Sequence, residues 1–127
     1  MATASKNKQD IFLIDDEPGI LKTVARTLEY AGYKVRCFSR AADCLEQLRY
    51  QSCDLLITDV KMPEMNGIEA TKEIRKISKN LPIIAQTAYI FEDDKDIILE
   101  AGCDACLIKP IRKDHLFSVM SGFIKSN

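Results

Sequence analysis

Short apolar runs and amphipathic stretches alternate along the whole of this chain. Ile11-Phe12-Leu13-Ile14 is a continuous apolar run that stops at acids, the pattern of a fully buried strand. Pro18 then opens a helix in which Ile20, Leu21, Val24, Ala25 and Leu28 recur at helical spacing, and Gly32 closes it. Tyr33 to Phe38 alternates like a strand with one wetter face. Ser39 is the expected cap of a second helix carrying Ala42, Leu45 and Leu48. Leu55-Leu56-Ile57-Thr58 is a third strand, ending at Asp59. After a loop with Pro63, Asn66 and Glu69 have capping-box spacing, and Ala70, Ile74 and Ile77 form the stripe of a third helix. Pro82 to Thr87 reads as strand four, and Ile97, Ile98 and Ala101 as the apolar positions of a helix ending at Gly102. Ala105 to Lys109 is strand five, and Leu116, Val119, Met120 and Phe123 mark a last helix.

Strict alternation of strand and helix predicts an α/β fold: a doubly wound, five-stranded parallel sheet with helices on both faces and right-handed crossovers. Ligands of such sheets bind beyond the carboxyl ends of the strands. Those ends carry Asp15-Asp16-Glu17, Asp59, Thr87 and Lys109-Pro110. If strands one and three are neighbours, three carboxylates meet, repel one another and push their pKa values up. A divalent cation resolves this, and an oxygen-only donor set suits Mg²⁺. A cation, an ammonium, a hydroxyl and an accessible carboxylate together suit phosphoryl transfer, with the carboxylate attacking in line.

Composition narrows the alternatives. The 127 residues fit one domain, with an expected disordered lead-in over 1–9 and the domain over 10–127. The net charge of -1, with no basic block, gives no support to direct nucleic-acid binding. No apolar run approaches the length of a membrane span and the N-terminus lacks a secretory h-region, so a cytoplasmic location is expected. The 5 cysteines, an odd number, argue against a disulfide scaffold. Cys103 and Cys106 have C-x-x-C spacing but run into a strand rather than a helix and lack partner ligands, so they read as small hydrophobes. His115, the single histidine, reads as a surface residue, and the acids Glu92, Asp93, Asp94 and Asp96 as the favourable start of helix four.

The segments Ile14 to Pro18, Leu55 to Gly67, Pro82 to Ala88 and Leu107 to Pro110, each at a strand end, resemble the CheY-like receiver domains of response regulators over about Ile11 to Ile124. The resemblance implies strand order 2-1-3-4-5 and a cis Lys109-Pro110 bond. It implies that Asp59 accepts a phosphoryl group from a partner phosphohistidine. Asp16, Asp59 and the Lys61 carbonyl would bind Mg²⁺ directly, Asp15 mainly through water, and Thr87 and Lys109 would hold the phosphoryl oxygens. The partners implied are a sensor histidine kinase or histidine phosphotransfer domain, and a downstream protein or fused output domain. A face of helix four, strand five and helix five would switch, with a homodimer through that face open. The domain would catalyse only its own phosphorylation and dephosphorylation.

Cys106 departs from the pattern, because the family usually places Tyr or Phe there as a rotameric switch. Tyr89 and Lys61 are candidates to cover the pocket mouth instead. Three other functions fit the sequence less well. A haloacid-dehalogenase-type phosphatase needs an acid two residues after the nucleophile, where this chain has Lys61. A flavodoxin-like FMN site needs a Ser/Thr/Gly loop where Asp15-Asp16-Glu17 would repel phosphate. A pseudo-receiver acting only as an interaction module stays open through Cys106.

Overall fold

Ten elements follow one another in the computed structural model, which describes residues 8–61, 65–88 and 92–124. They are β1 (Asp10–Ile14), α1 (Pro18–Tyr30), β2 (Lys34–Phe38), α2 (Ala41–Leu48), β3 (Leu55–Asp59), α3 (Gly67–Ile77), β4 (Ile83–Thr87), α4 (Glu92–Ala101), β5 (Ala105–Ile108) and α5 (Lys113–Met120). The strands form one parallel sheet in the order β2-β1-β3-β4-β5, the order expected. The switch point lies between β1 and β3, where Ile11 pairs with Leu55 and Ile14 with Thr58.

Side chains of a strand alternate between the two faces, so each apolar run feeds two cores. Phe12, Ile14, Leu56, Ile83 and Ala85 face α2, α3 and α4, joining Cys44, Leu48, Ile74 and Ile98. Ile11, Leu13, Leu55, Ile57, Ile84 and Leu107 face α1 and α5, joining Val24, Leu28, Leu116 and Met120. β3 and β4 are buried at every residue. This is why their sequences read as unbroken apolar runs and not as alternation.

Local signals explain the helix ends. Pro18 occupies the first turn of α1, and Gly32 follows that helix with φ of 102°, a conformation that costs glycine little. Asn66 caps α3 in a complete capping box with Glu69. The second helix departs from expectation: its N-cap is Arg40, with no side-chain cap bond, and Ser39 lies outside it. The helix therefore starts in another phase. Ala41, Cys44 and Leu48 are its buried positions, while Ala42 faces solvent. Ile77 and Ile97 are 46% and 49% exposed, at the rims of their stripes. Phe123 lies beyond α5 in a turn. The expected lead-in falls largely on residues 1–7, and Pro63 and Tyr89 with their loops fall on residues outside those described.

Candidate phosphoacceptor site

Four strands deliver side chains to one point because their ends are in register and share a face. Asp15 continues the Ile11, Leu13 series of β1, and Asp59 ends the Leu55, Ile57 series of β3. Gln86 follows Ile84 in β4, and Lys109 follows Leu107 of β5. Backbone bonds fix these ends: Asp15 N–H donates to the Phe38 carbonyl, Val60 N–H to that of Gln86, and Lys109 N–H to that of Thr87. The Lys109-Pro110 peptide is cis, as the resemblance implied.

Lys109 is the centre of the site. Its Nζ donates to Asp15 Oδ2 at 3.0 Å and lies 3.2 Å from Asp59 Oδ2, bridging the two carboxylates. Asp15 is wholly buried and collects two more donors: Gln86 Nε2 at 3.1 Å on Oδ2, and the Glu17 N–H at 2.9 Å on Oδ1. Buried carboxylates require this degree of pairing.

Burial and the neighbouring Asp15 charge push the Asp59 carboxyl above its ordinary range. The Lys109 hydrogen bond and charge oppose that rise without cancelling it, and Asp16 adds to it. For Lys109, burial acts to lower the pKa, and the Asp15 and Asp59 bonds and charges outweigh it and raise it. The site thus holds more negative charge than one lysine balances.

Asp15, Asp16 and Asp59 each offer an oxygen within 4.8 Å of the others, and Asp16 is exposed. The donor set is oxygen only, two of its members are buried, and one opens to solvent. That combination fits a hard divalent cation that keeps part of its water shell. Lys61 lies exposed two residues past Asp59. Thr87 is buried at the end of β4, one residue after Gln86. Cys106 pairs in register with Ala85 and packs against the α2–α4 core, as a small hydrophobe. A cleft of about 660 Å³ opens beside Lys109, between Ile20, Thr23 and Val24 of α1 and the Pro110-Ile111 segment.

The structure brings Asp15, Asp16, Asp59 and Lys109 together. Two further residues shape the same corner. Gln86 is wholly buried against Asp15, although its place in the sequence marks it only as a strand residue. Its signal was an amide in the middle of an otherwise apolar strand. At Gly67, which opens α3, any Cβ would overlap the Asp59 carbonyl oxygen. Only glycine lets the start of α3 pass so close to the backbone of Asp59.

A family described as the response regulator receiver domain matches residues 11–121. The sensor histidine kinase RcsC of Salmonella typhi is 33% identical over 112 residues, which are 88% of this chain and 12% of that protein. A CpxR homolog of Haemophilus influenzae, a transcriptional regulatory protein, is 34% identical over 115 residues, 91% of this chain and 50% of that one. The chain therefore spans a minor part, 12% to 50%, of these relatives. Among solved structures, the receiver domain of the sensor histidine kinase PA1611 of Pseudomonas aeruginosa superposes with a TM-score of 0.86 at 29% identity, covering 94% of this chain and 99% of that one. That structure holds a magnesium ion in its active-site cleft.

Proposed function

The chain belongs to the response regulator receiver domain family, and on that premise we propose that Asp59 is the residue on which this two-component receiver domain accepts a phosphoryl group. The observation that carries the reading is the Lys109 bridge between Asp15 and Asp59. It marks Asp59 as a buried carboxylate whose charge is neutralised from one side only.

The donor is a phosphohistidine on a sensor kinase or histidine phosphotransfer domain. A carboxylate oxygen of Asp59 attacks phosphorus in line as the phosphorus–nitrogen bond breaks. The products are an acyl phosphate and an imidazole, which retains the electron pair of that bond and takes up a proton. Asp15, Asp16, Asp59 and the Lys61 carbonyl would hold Mg²⁺. The cation would supply charge neutralisation for the equatorial phosphoryl oxygens. Lys109 turns from the carboxylates to a phosphoryl oxygen, and the Thr87 hydroxyl donates to another. In a separate step water hydrolyses the domain's own acyl phosphate, releasing inorganic phosphate and restoring the Asp59 carboxylate, and the domain turns over no other substrate. Residues 10–127 make up this unit.

The phosphorylated state is read out on the face of α4, β5 and α5. Ile97, Leu99 and Ile108 expose apolar surface on its α4 and β5 parts. That surface would meet a downstream protein, an output domain or a second copy of the chain. No described helix is long and apolar enough to cross a membrane, and the cytoplasm is the proposed location.

The test is incubation with acetyl phosphate and Mg²⁺ followed by intact-mass measurement. One added phosphoryl group is expected, absent in Asp59→Asn. No uptake from acetyl phosphate or from a phosphorylated phosphotransfer domain would overturn the reading. Steady turnover of many phosphate esters would favour a phosphatase.

A further inference from the structure

Gln86 is an anomaly of the β4 sequence. It follows Ile83, Ile84 and Ala85 into the sheet and is wholly buried. Its Nε2 donates to Asp15 Oδ2 at 3.1 Å, while its Oε1 is buried with no hydrogen-bond partner among the described residues. A buried acceptor left unpaired costs stability. A leucine or methionine of similar size would avoid that cost, so packing does not account for an amide here. The donor half of the amide does.

Its orientation is not arbitrary. Turned over, the amide would press Oε1 against an ionised carboxylate, so the charge of Asp15 sets which way Gln86 lies. Asp15 Oδ2 has two side-chain donors, Lys109 and Gln86, and only one of them is needed elsewhere. Lys109 also serves Asp59, and in the proposed transfer it turns to the phosphoryl group. Gln86 is fixed in the strand by the sheet on both sides.

We propose that Gln86 is a positioning residue of this site, whose buried amide holds the Asp15 carboxylate in its cation-binding orientation while Lys109 is released to the phosphoryl group. The proposal rests on the reading of Asp15, Asp16 and Asp59 as a Mg²⁺ site. Partners that orient a metal-binding carboxylate generally change metal affinity by about 10–100-fold when removed.

The experiment is a calorimetric Mg²⁺ titration of the natural chain and of Gln86→Met, with no phosphodonor present. Thermal melts of both proteins without Mg²⁺ accompany it. The expected result is a Mg²⁺ dissociation constant raised about tenfold, with the variant still melting cooperatively, the lost donor to Asp15 and the removed unpaired acceptor acting on Tm in opposite directions. A residue with a merely structural role would lower Tm and leave the affinity of the folded protein alone. A second readout needs no variant. In the natural chain the Gln86 side-chain amide resonances, assigned by ¹⁵N NMR, should shift on adding Mg²⁺. A dissociation constant within about twofold of the natural chain's, or amide resonances indifferent to Mg²⁺, would overturn the proposal while leaving the metal site standing. A natural chain that binds no Mg²⁺ would overturn both.

Discussion

At the scale of single residues, the site is an excess of buried negative charge with one lysine in its midst. Two predictions follow from the directions of the shifts. Asp59 has a folded-state pKa above its ordinary value of 3.8. An acid raised in this way favours the folded state at low pH and loses that contribution as pH rises through the folded value. At neutral pH its ionised form therefore works against folding. Asp59→Asn should melt higher than the natural chain without Mg²⁺, by calorimetry, and this gain should shrink below pH 4 or so. Lys109 is raised above its ordinary 10.5. Its contribution to stability is present below that value and is lost as pH rises through the folded pKa. Chemical denaturation across the alkaline range should show this loss in the natural chain and not in Lys109→Met. Removing the lysine leaves Asp15 and Asp59 facing each other uncompensated, which should cost about 3 kcal/mol at neutral pH without Mg²⁺.

Elements show how far the residues could be read in advance. Strand ends were legible because each apolar run stops at a polar residue, and α3 because its capping box is a local signal four residues long. The start of α2 was not, because no side chain caps it and Arg40 takes the place expected of Ser39. Gln86 was not legible as a site residue, because its partner lies 71 residues away and the contact exists only once β1, β3 and β4 are in register. Gly67 shows the same limit, since its constraint comes from the backbone of β3 and not from its own helix. Gly67→Ala must displace either α3 or the segment after Asp59. It should cost about 1–3 kcal/mol in urea unfolding, as overpacking does, and should slow phosphorylation by acetyl phosphate more than the milder change Gly19→Ala, which meets no neighbour. Arg75 of α3 is a second tie between elements. It donates to the Gly102 and Leu81 carbonyls and pairs with Asp104 at 2.9 Å. Arg75→Ala should loosen the α3, α4 and β5 corner without touching the acidic pocket, leaving Mg²⁺ affinity unchanged while Tm falls.

For the whole molecule, the five parallel strands with helices on both faces followed from the alternation of apolar runs, and the strand order from the family resemblance. Mass action sets the next expectation. A cation that binds only the folded state stabilises it by RT ln(1 + [L]/Kd), roughly 2.7 kcal/mol at a hundred times Kd. Adding Mg²⁺ should raise Tm, EDTA should reverse this, and Asp16→Asn should abolish most of the shift, all read from thermal melts.

The burial of β3 has one more consequence. Asp59 ends a strand with a hydrogen-bonded neighbour on each side and a packed core on each face. Amides of such a strand exchange with solvent only through openings that approach global unfolding. The strand is an anchored post and not a spring. Charge added at its tip cannot be relieved by bending the post. In deuterium-uptake measurements, phosphorylation should leave Leu55 to Thr58 unchanged and alter uptake in α4 and β5.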